Sequence, residues 1–572
     1  MKKLRKYHNF FKVLLPLLFL FALVSGPLVA QAGSLKLPGK LNENIILNCD
    51  RSIYGVSEKI SYSAIYRGPG KSDGPAWSKV LYVELIQGNG FKQATTKVII
   101  ENNRAAGEIL VPKNIPSGVY YLRAYTKWMR NYGPTTYAYI PLRILNPYSK
   151  EILAPTSSFD SLKLRKHASC NILEGVVFSG LKDQYATHES AEFEVRIPEN
   201  LLPGTYSLSI AKTEGLSSLD YSFKEQIETG EGSGKLSFLP EIEGLSLSGR
   251  IIDSETGLPV TNKRLQLSSY EDPFFFAEIF SQKDGSFLFT LPHFRAKPEF
   301  HLSEVADSVK GHLIQLDPEF CNRPVFLHFD PLRIDSSEKE MVRELLVNLQ
   351  LNERFLEKLD SEKPEAKVSA AFYGSATSVT KMGDYIELSD LRECIEEIIP
   401  QVSIQSNNTG EFLTIIGLSC LDIYPPLVLI DNIPVPNNDV LLHIPSSRIK
   451  SIEVLNEAYM IGEFRYSGII NIFSNQHDMA GISLEGEHSF FNFQLIDNKL
   501  DIPEFQKDSD CSDQPDIRNQ LYWEPEIEFT EKTSFKAAFS TSDASGLYVV
   551  TLRGMDPGNS SGVCKKALFS VK

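Results

Sequence analysis

The chain has 572 residues with a formal net charge of −14, and 42% of its residues are hydrophobic. This length allows several domains of about 100 residues, each with its own apolar core. An acidic chain is a poor partner for nucleic acid, because phosphate contacts need a basic face. The composition therefore excludes a nucleic-acid-binding protein.

Residues 1–32 are typical of a secretory signal peptide. A basic start precedes the apolar run Val13–Val24, and Ala30–Ala32 fits a small-residue cleavage site. A membrane span needs about 20 apolar residues, so we expect cleavage, with an uncleaved anchor as the alternative. The expected location is the periplasm, or the outer membrane and cell surface.

Three stretches repeat one pattern, in which a turn ends in glycine and a tyrosine follows two positions later in an alternating strand. The tyrosines are Tyr120, Tyr206 and Tyr548, after Gly118, Gly204 and Gly546. Period-two alternation buries one face of a strand. The tyrosine ring can be buried while its hydroxyl group bonds back to the corner backbone. The repeat predicts at least three β-sandwich domains.

The first predicted domain is a β-sandwich over residues 33–147. Its segments CDRSIYGVSEKISYSAIY, SKVLYVELI and IPSGVYYLRAYTKWMRNYGP resemble the macroglobulin-type domain in large envelope proteins of the Bacteroidetes group. The resemblance implies a seven-stranded sandwich without catalysis. Covalent protease trapping by macroglobulins needs a Cys-Gly-Glu-Gln thioester, and no cysteine of this chain precedes a glycine.

Candidate binding residues follow the tyrosine strand of this domain: Trp128, Arg130 and Tyr132. Aromatic and arginine side chains in loops are favoured contact residues. The alternative is that Trp128 packs under the loop and closes the edge of the sandwich. Packing is favoured over binding.

A linker at 148–171 and a second, smaller sandwich at 172–243 are predicted next. Residues 244–330 contain LSLSGRIIDSETGLPVTNKRLQLSS and KDGSFLFTL, which resemble the carboxypeptidase-regulatory-like domain. The resemblance implies a seven-stranded structural or adaptor module. His301 and Glu304 match an HxxE zinc pattern, but no peptidase-sized domain follows to supply a third ligand, so we interpret the match as chance.

Residues 331–369 are predicted to form a helix and a linker. Apolar residues from Met341 to Leu359 recur at helical spacing, which predicts a helix of about 22 residues. Its apolar stripe is expected to dock on a neighbouring domain.

Residues 370–475 form a predicted small α/β domain. The segments LVLIDNIPV, IKSIEVL and GIINIF resemble the plug domain of TonB-dependent outer-membrane receptors, and residues 448–474 predict a strand, a short helix, a glycine and a strand. The chain that follows is too short for the barrel of that family, so we expect docking and no transport by this chain alone. A linker at 476–520 and part of a C-terminal sandwich at 521–572 complete the prediction.

The predicted fold class is mainly β, with several Ig-like or macroglobulin-like sandwiches in series and one small plug-like α/β domain. The seven cysteines are scattered, so they are interpreted as small buried side chains with at least one free thiol. The segment 230–235 lacks the spacing of a phosphate loop, and the GxSxG match at 558–562 is interpreted as a hairpin turn.

The expected protein is a non-enzymatic envelope component that binds or scaffolds a partner, docking on an outer-membrane barrel or surface complex in transport or assembly. No catalytic residue, cofactor, metal, nucleic acid or covalent substrate is expected. The alternative is an accessory or inhibitory subunit of an extracellular peptidase or glycan hydrolase. An unrecognised hydrolase is a third hypothesis.

Overall fold

The computed structural model shows a mainly β chain, with 33 strands and three α-helices among the residues it describes. The described residues are 43–68, 77–153, 171–172, 175–213, 236–270, 272–291, 298–305, 311–327, 331–336, 338–359, 371–407, 410–416, 423–484, 488–496, 516–530, 532–555 and 562–572. Side chains at 171–172, 352–359 and 562 are not among them. The expected signal peptide lies outside these ranges. The predicted mainly β fold class is confirmed.

The elements come in five groups along the chain. The first is β1 (Asn44–Cys49), β2 (Ile53–Gly55), β3 (Lys59–Arg67), β4 (Val80–Ile86), β5 (Lys92–Ile99), β6 (Arg104–Leu110), β7 (Gly118–Tyr125) and β8 (Ala138–Leu145). The second is β9 (Asn171–Ile172), β10 (Val177–Ser179), β11 (Gln184–Tyr185), β12 (Ser190–Arg196) and β13 (Gly204–Lys212). The third is β14 (Ser246–Asp253), β15 (Arg264–Ser269), β16 (Phe276–Phe280), β17 (Ser286–Thr290), β18 (Glu299–Val305), β19 (His312–Leu316) and helix α1 (Lys339–Leu359).

The fourth group is β20 (Ser378–Lys381), α2 (Leu391–Ile398), β21 (Val402–Asn407), β22 (Gly410–Ile415), β23 (Leu427–Ile430), β24 (Ile433–Pro434), α3 (Asp439–Leu442), β25 (Ile449–Leu455), β26 (Tyr459–Ile461), β27 (Phe464–Tyr466) and β28 (Ile469–Ser474). The last is β29 (His488–Asn492), β30 (Gln520–Phe529), β31 (Ser534–Ser540), β32 (Gly546–Met555) and β33 (Gly562–Val571). None of the helices in the described ranges is both long and apolar enough to cross a membrane.

The first sandwich uses every strand of the first group. One sheet has the order β1-β3-β6 and the other the order β2-β8-β7-β4-β5. Tyr62 and Ile109 from one sheet and Leu85 and Leu122 from the other are buried in a shared core. The sandwich has eight strands where the resemblance implies seven, and the three-residue β2 pairs in parallel with β8.

The second sandwich is built from two distant parts of the chain. Its sheets have the orders β10-β12-β31 and β11-β33-β32-β13-β30, and β9 also pairs with β33. Phe193 on β12 lies opposite Ala537 on β31, and Tyr206 on β13 lies opposite Gly554 on β32. The predicted separate units at 172–243 and 521–572 therefore contribute strands to one sandwich, because β12 pairs with β31 and β13 lies between β32 and β30.

All three tyrosine corners have the predicted geometry. The Tyr120 hydroxyl donates to the Pro116 carbonyl at 2.8 Å and the Tyr548 hydroxyl to the Ala544 carbonyl at 2.7 Å, while the Tyr206 hydroxyl lies 3.4 Å from the Leu201 carbonyl. The three rings are buried. Two of the corners belong to β13 and β32 of the same sheet. The number of tyrosine corners therefore does not equal the number of sandwiches that contain them.

The third sandwich has seven strands in sheets of order β17-β14-β19 and β16-β15-β18-β29. Its last strand comes from the predicted linker at 476–520, and Phe491 on β29 lies opposite Phe300 on β18. That part of the linker prediction is wrong. The strand is added after the chain has completed the α/β unit, which we define as residues 371–484.

The α/β unit has one five-stranded sheet of order β20-β25-β28-β23-β24, in which β23 runs parallel to β28. Helices α2 and α3 cover one face of it through Leu391, Cys394 and Leu441. The short helix predicted within 448–474 is a hairpin of β26 and β27, which turns at Gly462 with a φ of 56°. Glycine tolerates this left-handed conformation, and the tyrosine, isoleucine and phenylalanine around it favour strands.

The strand pairing makes the chain a set of nested insertions. The second sandwich begins before the third and closes after it, and the third begins before the α/β unit and closes after it. Helix α1 has 21 residues, close to the predicted length. Its apolar stripe, including Met341, Leu345 and Leu349, packs against Leu145 of the first sandwich, which confirms the predicted docking.

Candidate functional site

Trp128, Arg130 and Tyr132 lie in a 3₁₀ turn and its exit, directly after β7. The Thr126 hydroxyl accepts a hydrogen bond from the Met129 backbone N–H and so begins the turn. The exposed fractions of the three predicted side chains are only 5%, 2% and 5%. They do not form an exposed patch, and Trp128 is buried, as the packing alternative for that residue requires.

Arg130 joins the first sandwich to the third. Its guanidinium donates to the carbonyls of Glu319 at 3.4 Å and Phe320 at 3.5 Å, and lies 4.0 Å from the ring centroid of Phe238. We define the Arg130 interface as the contacts of residues 123–139 with residues 236–246 and 319–321. A buried guanidinium with carbonyl and aromatic partners fixes two elements in one geometry.

Asn131 makes the most regular contact of the Arg130 interface. Its amide Nδ2 donates to the Phe238 carbonyl at 2.8 Å, and its Oδ1 accepts the backbone N–H groups of Ser237 and Phe238 at 3.0 and 2.9 Å. The Asn131 side chain thus bonds to the backbone of Ser237 and Phe238, in the segment that leads into the third sandwich. Trp128 packs beside it, with its ring centroid 5.2 Å from that of Trp77.

The opposite side of the Arg130 interface surrounds Cys321. Its backbone N–H donates to the Tyr125 hydroxyl at 2.7 Å, and the Tyr137 hydroxyl donates to its Sγ at 3.4 Å. Arg123 reaches the Cys321 carbonyl at 3.3 Å while it pairs with the buried carboxylate of Glu84. Burial disfavours the charged guanidinium, yet the Glu84 carboxylate raises the pKa of Arg123 above its ordinary value.

Lys97 is a fully buried cation next to this interface. Its Nζ donates to Glu319 Oε1 and to the Gln494 carbonyl, both at 2.6 Å, and lies 3.8 Å from the ring centroid of Phe493. Burial lowers the pKa of Lys97 to about 8, although the Glu319 carboxylate opposes the shift. Lys97 therefore joins the first sandwich to two parts of the third, the residues just after β19 and the residues just after β29.

The α/β unit is attached to the third sandwich by a separate polar cluster. The Tyr466 hydroxyl donates to the buried Glu278 carboxylate and accepts from Arg264 at 2.9 Å and Gln266 at 3.3 Å. The ring of Phe276 stacks on Phe372 with 5.3 Å between centroids. These contacts cover one face of the β16-β15-β18-β29 sheet.

The contacts of Lys97, Glu319 and Cys321 were not predicted from the sequence. Strand alternation places Val98 in the core of the first sandwich, so Lys97 is expected to point to solvent. A different part of the chain covers that face. The one local indication of burial at Lys97 is its position beside the apolar residues Val98 and Ile99 at the end of β5.

The remaining sequence motifs concern metal ligands, cysteines and two glycine-rich segments. They contain no group of three or more histidine, cysteine, aspartate or glutamate side chains placed to hold a metal ion. Cys49, Cys321 and Cys394 are free and buried, as predicted, whereas Cys564 is in a disulfide bond. β32 and β33 pair as a hairpin around the GxSxG match, whose turn lies outside the described ranges. The segment 230–235 also lies outside them.

The fold and its buried interfaces define a mainly β protein of β-sandwich units in series. No family model and no curated protein matches its sequence. Native Escherichia coli alpha-2-macroglobulin is similar in structure at 8% identity and a TM-score of 0.23, over 94% of this chain and 40% of that chain. Salmonella alpha-2-macroglobulin reacted with methylamine gives the same four values.

A further similar structure is dimeric latent PorU from Porphyromonas gingivalis, at 9% identity and a TM-score of 0.16, over 51% of this chain and 34% of that chain. This chain spans about two fifths of the length of the two macroglobulins, with 40% of each covered. All three similarities concern the fold alone.

Proposed function

We propose that this chain is a non-enzymatic scaffold protein of the cell envelope, and that it docks on an outer-membrane protein through its α/β unit. In this proposal the first sandwich is macroglobulin-like, the third is carboxypeptidase-regulatory-like and the α/β unit is plug-like. The sandwiches provide a stiff support, and the α/β unit provides the docking surface.

Stiffness is supported by the buried polar contacts between units. Lys97, Arg130 and Asn131 each bond from the first sandwich to the third. Buried charged and amide groups are costly to expose without partners. Hinge motion at these junctions would break several such bonds together, so the units are expected to move as one body.

The observation that carries the docking proposal is the exposed apolar surface of the α/β unit. Ile386 and Ile423 are 85% and 82% exposed, more than any other large hydrophobic side chain in the described part of the chain. Met460, also in this unit, is 68% exposed. Exposed apolar side chains mark an interaction surface when they lie together in one patch, and the docking proposal requires this of Ile386 and Ile423.

The test is affinity purification of tagged protein from native envelopes after chemical crosslinking. We expect an outer-membrane protein to copurify with the wild type and to be lost from an Ile386→Glu/Ile423→Glu double variant. Phe91→Glu is the matched control, because Phe91 is 69% exposed on the first sandwich. That variant should retain the partner.

Two results would overturn the proposal. One is that no envelope protein copurifies with the wild type, or that the double variant retains the partner as well as the wild type does. The other is recovery of an extracellular peptidase or glycan hydrolase as the main partner, which would favour the accessory-subunit alternative.

A further inference from the structure

The two side chains of the HxxE match, His301 and Glu304, do not lie together in the third sandwich. His301 and Glu304 lie three residues apart on β18, so their side chains point to opposite faces of the sheet. Glu304 Oε2 lies 2.8 Å from His312 Nδ1, and Glu304 Oε1 lies 3.3 Å from Lys263 Nζ. The two residues therefore cannot share a ligand.

His301 has a different environment, on the sheet face that packs against the α/β unit. It is 1% exposed, and neither ring nitrogen has a hydrogen-bond partner among the described residues. A buried polar side chain without a hydrogen-bond partner is rare in folded proteins, and a bound water molecule or ion is one explanation for it.

The returning strand β29 places a second imidazole beside it. Phe490 lies opposite His301, and His488 lies opposite Ser303, so the two histidines are diagonal neighbours on one face. Their ring centroids are 5.9 Å apart at an interplanar angle of 37°. Two imidazoles on one tetrahedral zinc have centroids about 5 Å apart, given Zn–N bonds of about 2.0–2.1 Å. A side-chain movement of about 1 Å is enough to reach that geometry.

We propose that His301 and His488 bind a divalent transition-metal ion of the zinc class. Imidazole nitrogens suit Zn²⁺, Ni²⁺ and Cu²⁺ and are poor ligands for Ca²⁺ or Mg²⁺. The hydroxyls of Ser268 and Ser303 flank the pair, and both are buried without a partner among the described residues. They are placed to bond water molecules that complete the coordination of the ion. His488 is only partly buried, so the ion has a route from solvent.

Such an ion would join β18 to β29, the strand that closes the third sandwich after the α/β insertion. Its two protein ligands come from the two sides of that insertion. Metal binding would therefore stabilise the nested arrangement, because a ligand that binds only the folded state adds its binding free energy to stability.

The experiment uses the full chain, with its tag removed and after treatment with a chelator. Isothermal titration with Zn²⁺ at pH 7.5 should show one ion per chain, and Zn²⁺ should raise the Tm. His488→Ala and His301→Gln should each weaken binding about tenfold or more. His312→Ala is the control, since His312 pairs with Glu304 on the other face, and it should bind as the wild type does.

A second readout keeps the test decisive if His301→Gln does not fold. The partly exposed position of His488 makes His488→Ala the safer variant, and a Co²⁺ absorption band seen in the wild type should be lost in it. The proposal is overturned if the wild type shows no saturable Zn²⁺ binding. It is also overturned if His488→Ala binds the ion as the wild type does.

Discussion

The ammonium group of Lys97 lies 2.6 Å from a carboxylate oxygen of Glu319, which is 222 residues further along the chain. Lys97 is fully buried, and its Nζ also donates to the Gln494 carbonyl. One side chain of the first sandwich thus bonds to the end of the third sandwich's main segment and to a residue just after its last strand. This contact shows how the nested insertions are tied together.

The depressed pKa of Lys97 makes this contact dependent on pH. Its pKa is about 8 in the folded protein and ordinarily 10.5, so between these values the unfolded chain binds more protons. Stability therefore rises with pH in this window. We expect the stability difference between wild type and Lys97→Met to grow in favour of the wild type by about 2 kcal/mol from pH 7.5 to 10, measured by urea unfolding.

Lys536→Met is the control for the Lys97 prediction, because the Lys536 side chain is 74% exposed. Its stability difference from the wild type should stay flat over the same range. Comparison with a variant at each pH cancels the titration of all other groups. A flat curve for Lys97→Met would contradict the prediction.

Asn131 should be the most sensitive polar residue of the Arg130 interface. Asn131→Ala leaves the part-buried backbone N–H groups of Ser237 and Phe238 without the side-chain oxygen that accepts their hydrogen bonds. We expect a loss of about 2–3 kcal/mol in the free energy of unfolding, measured by denaturant titration. Asn89→Ala removes the side-chain oxygen that accepts a hydrogen bond from the Phe91 backbone N–H in an exposed turn, and should cost less than about 1 kcal/mol. Equal costs for the two variants would contradict the assignment.

The tyrosine corners should differ in how much each hydroxyl group contributes to the free energy of unfolding. Tyr548→Phe removes a hydroxyl that donates at 2.7 Å to the Ala544 carbonyl and lies 3.2 Å from Ser542 Oγ. Tyr206→Phe removes one whose corner contact is 3.4 Å long. We expect Tyr548→Phe to cost about 1 kcal/mol and Tyr206→Phe to cost less, by thermal and urea unfolding. The reverse order would refute the ranking.

Gly554 tests whether the second sandwich is shared between distant segments. A Cβ added there would lie 2.2 Å from Tyr206 Cδ1 and 2.6 Å from the Thr205 carbonyl oxygen. Gly554→Val should cost about 3 kcal/mol and raise hydrogen exchange in both β13 and β32. Gly383→Val is the control, because no atom lies within 4 Å of its added Cβ. Exchange that rises in β32 alone would mean that the two strands belong to separate domains.

The sequence predicts those structural elements that depend only on residues close together in the chain. The tyrosine corners were predictable because glycine, turn and tyrosine all lie within one short stretch, as in Gly546 and Tyr548. Helix α1 was predictable from its spacing of apolar residues. The strands of the α/β unit, including Leu427–Ile430, were predictable from their apolar runs.

Long-range pairing was not predictable in this way. The segment His488–Asn492 was predicted to lie in a linker, because nothing close to it in the sequence indicates that Phe491 lies opposite Phe300. Nothing within β12 indicates that its neighbour is β31. Arg130 was a candidate for partner binding because the residues that cover it, Phe238 and Phe320, lie far away in the sequence.

The most direct test of the proposed function is site-specific photo-crosslinking in cells that carry the protein in its native envelope. A photoreactive amino acid is placed singly at Ile386, at Ile423 or at Phe91, all highly exposed positions. The docking proposal predicts a crosslink to the same outer-membrane protein from Ile386 and Ile423 and none from Phe91. A crosslink from Phe91 alone, or none from the α/β unit, would contradict it.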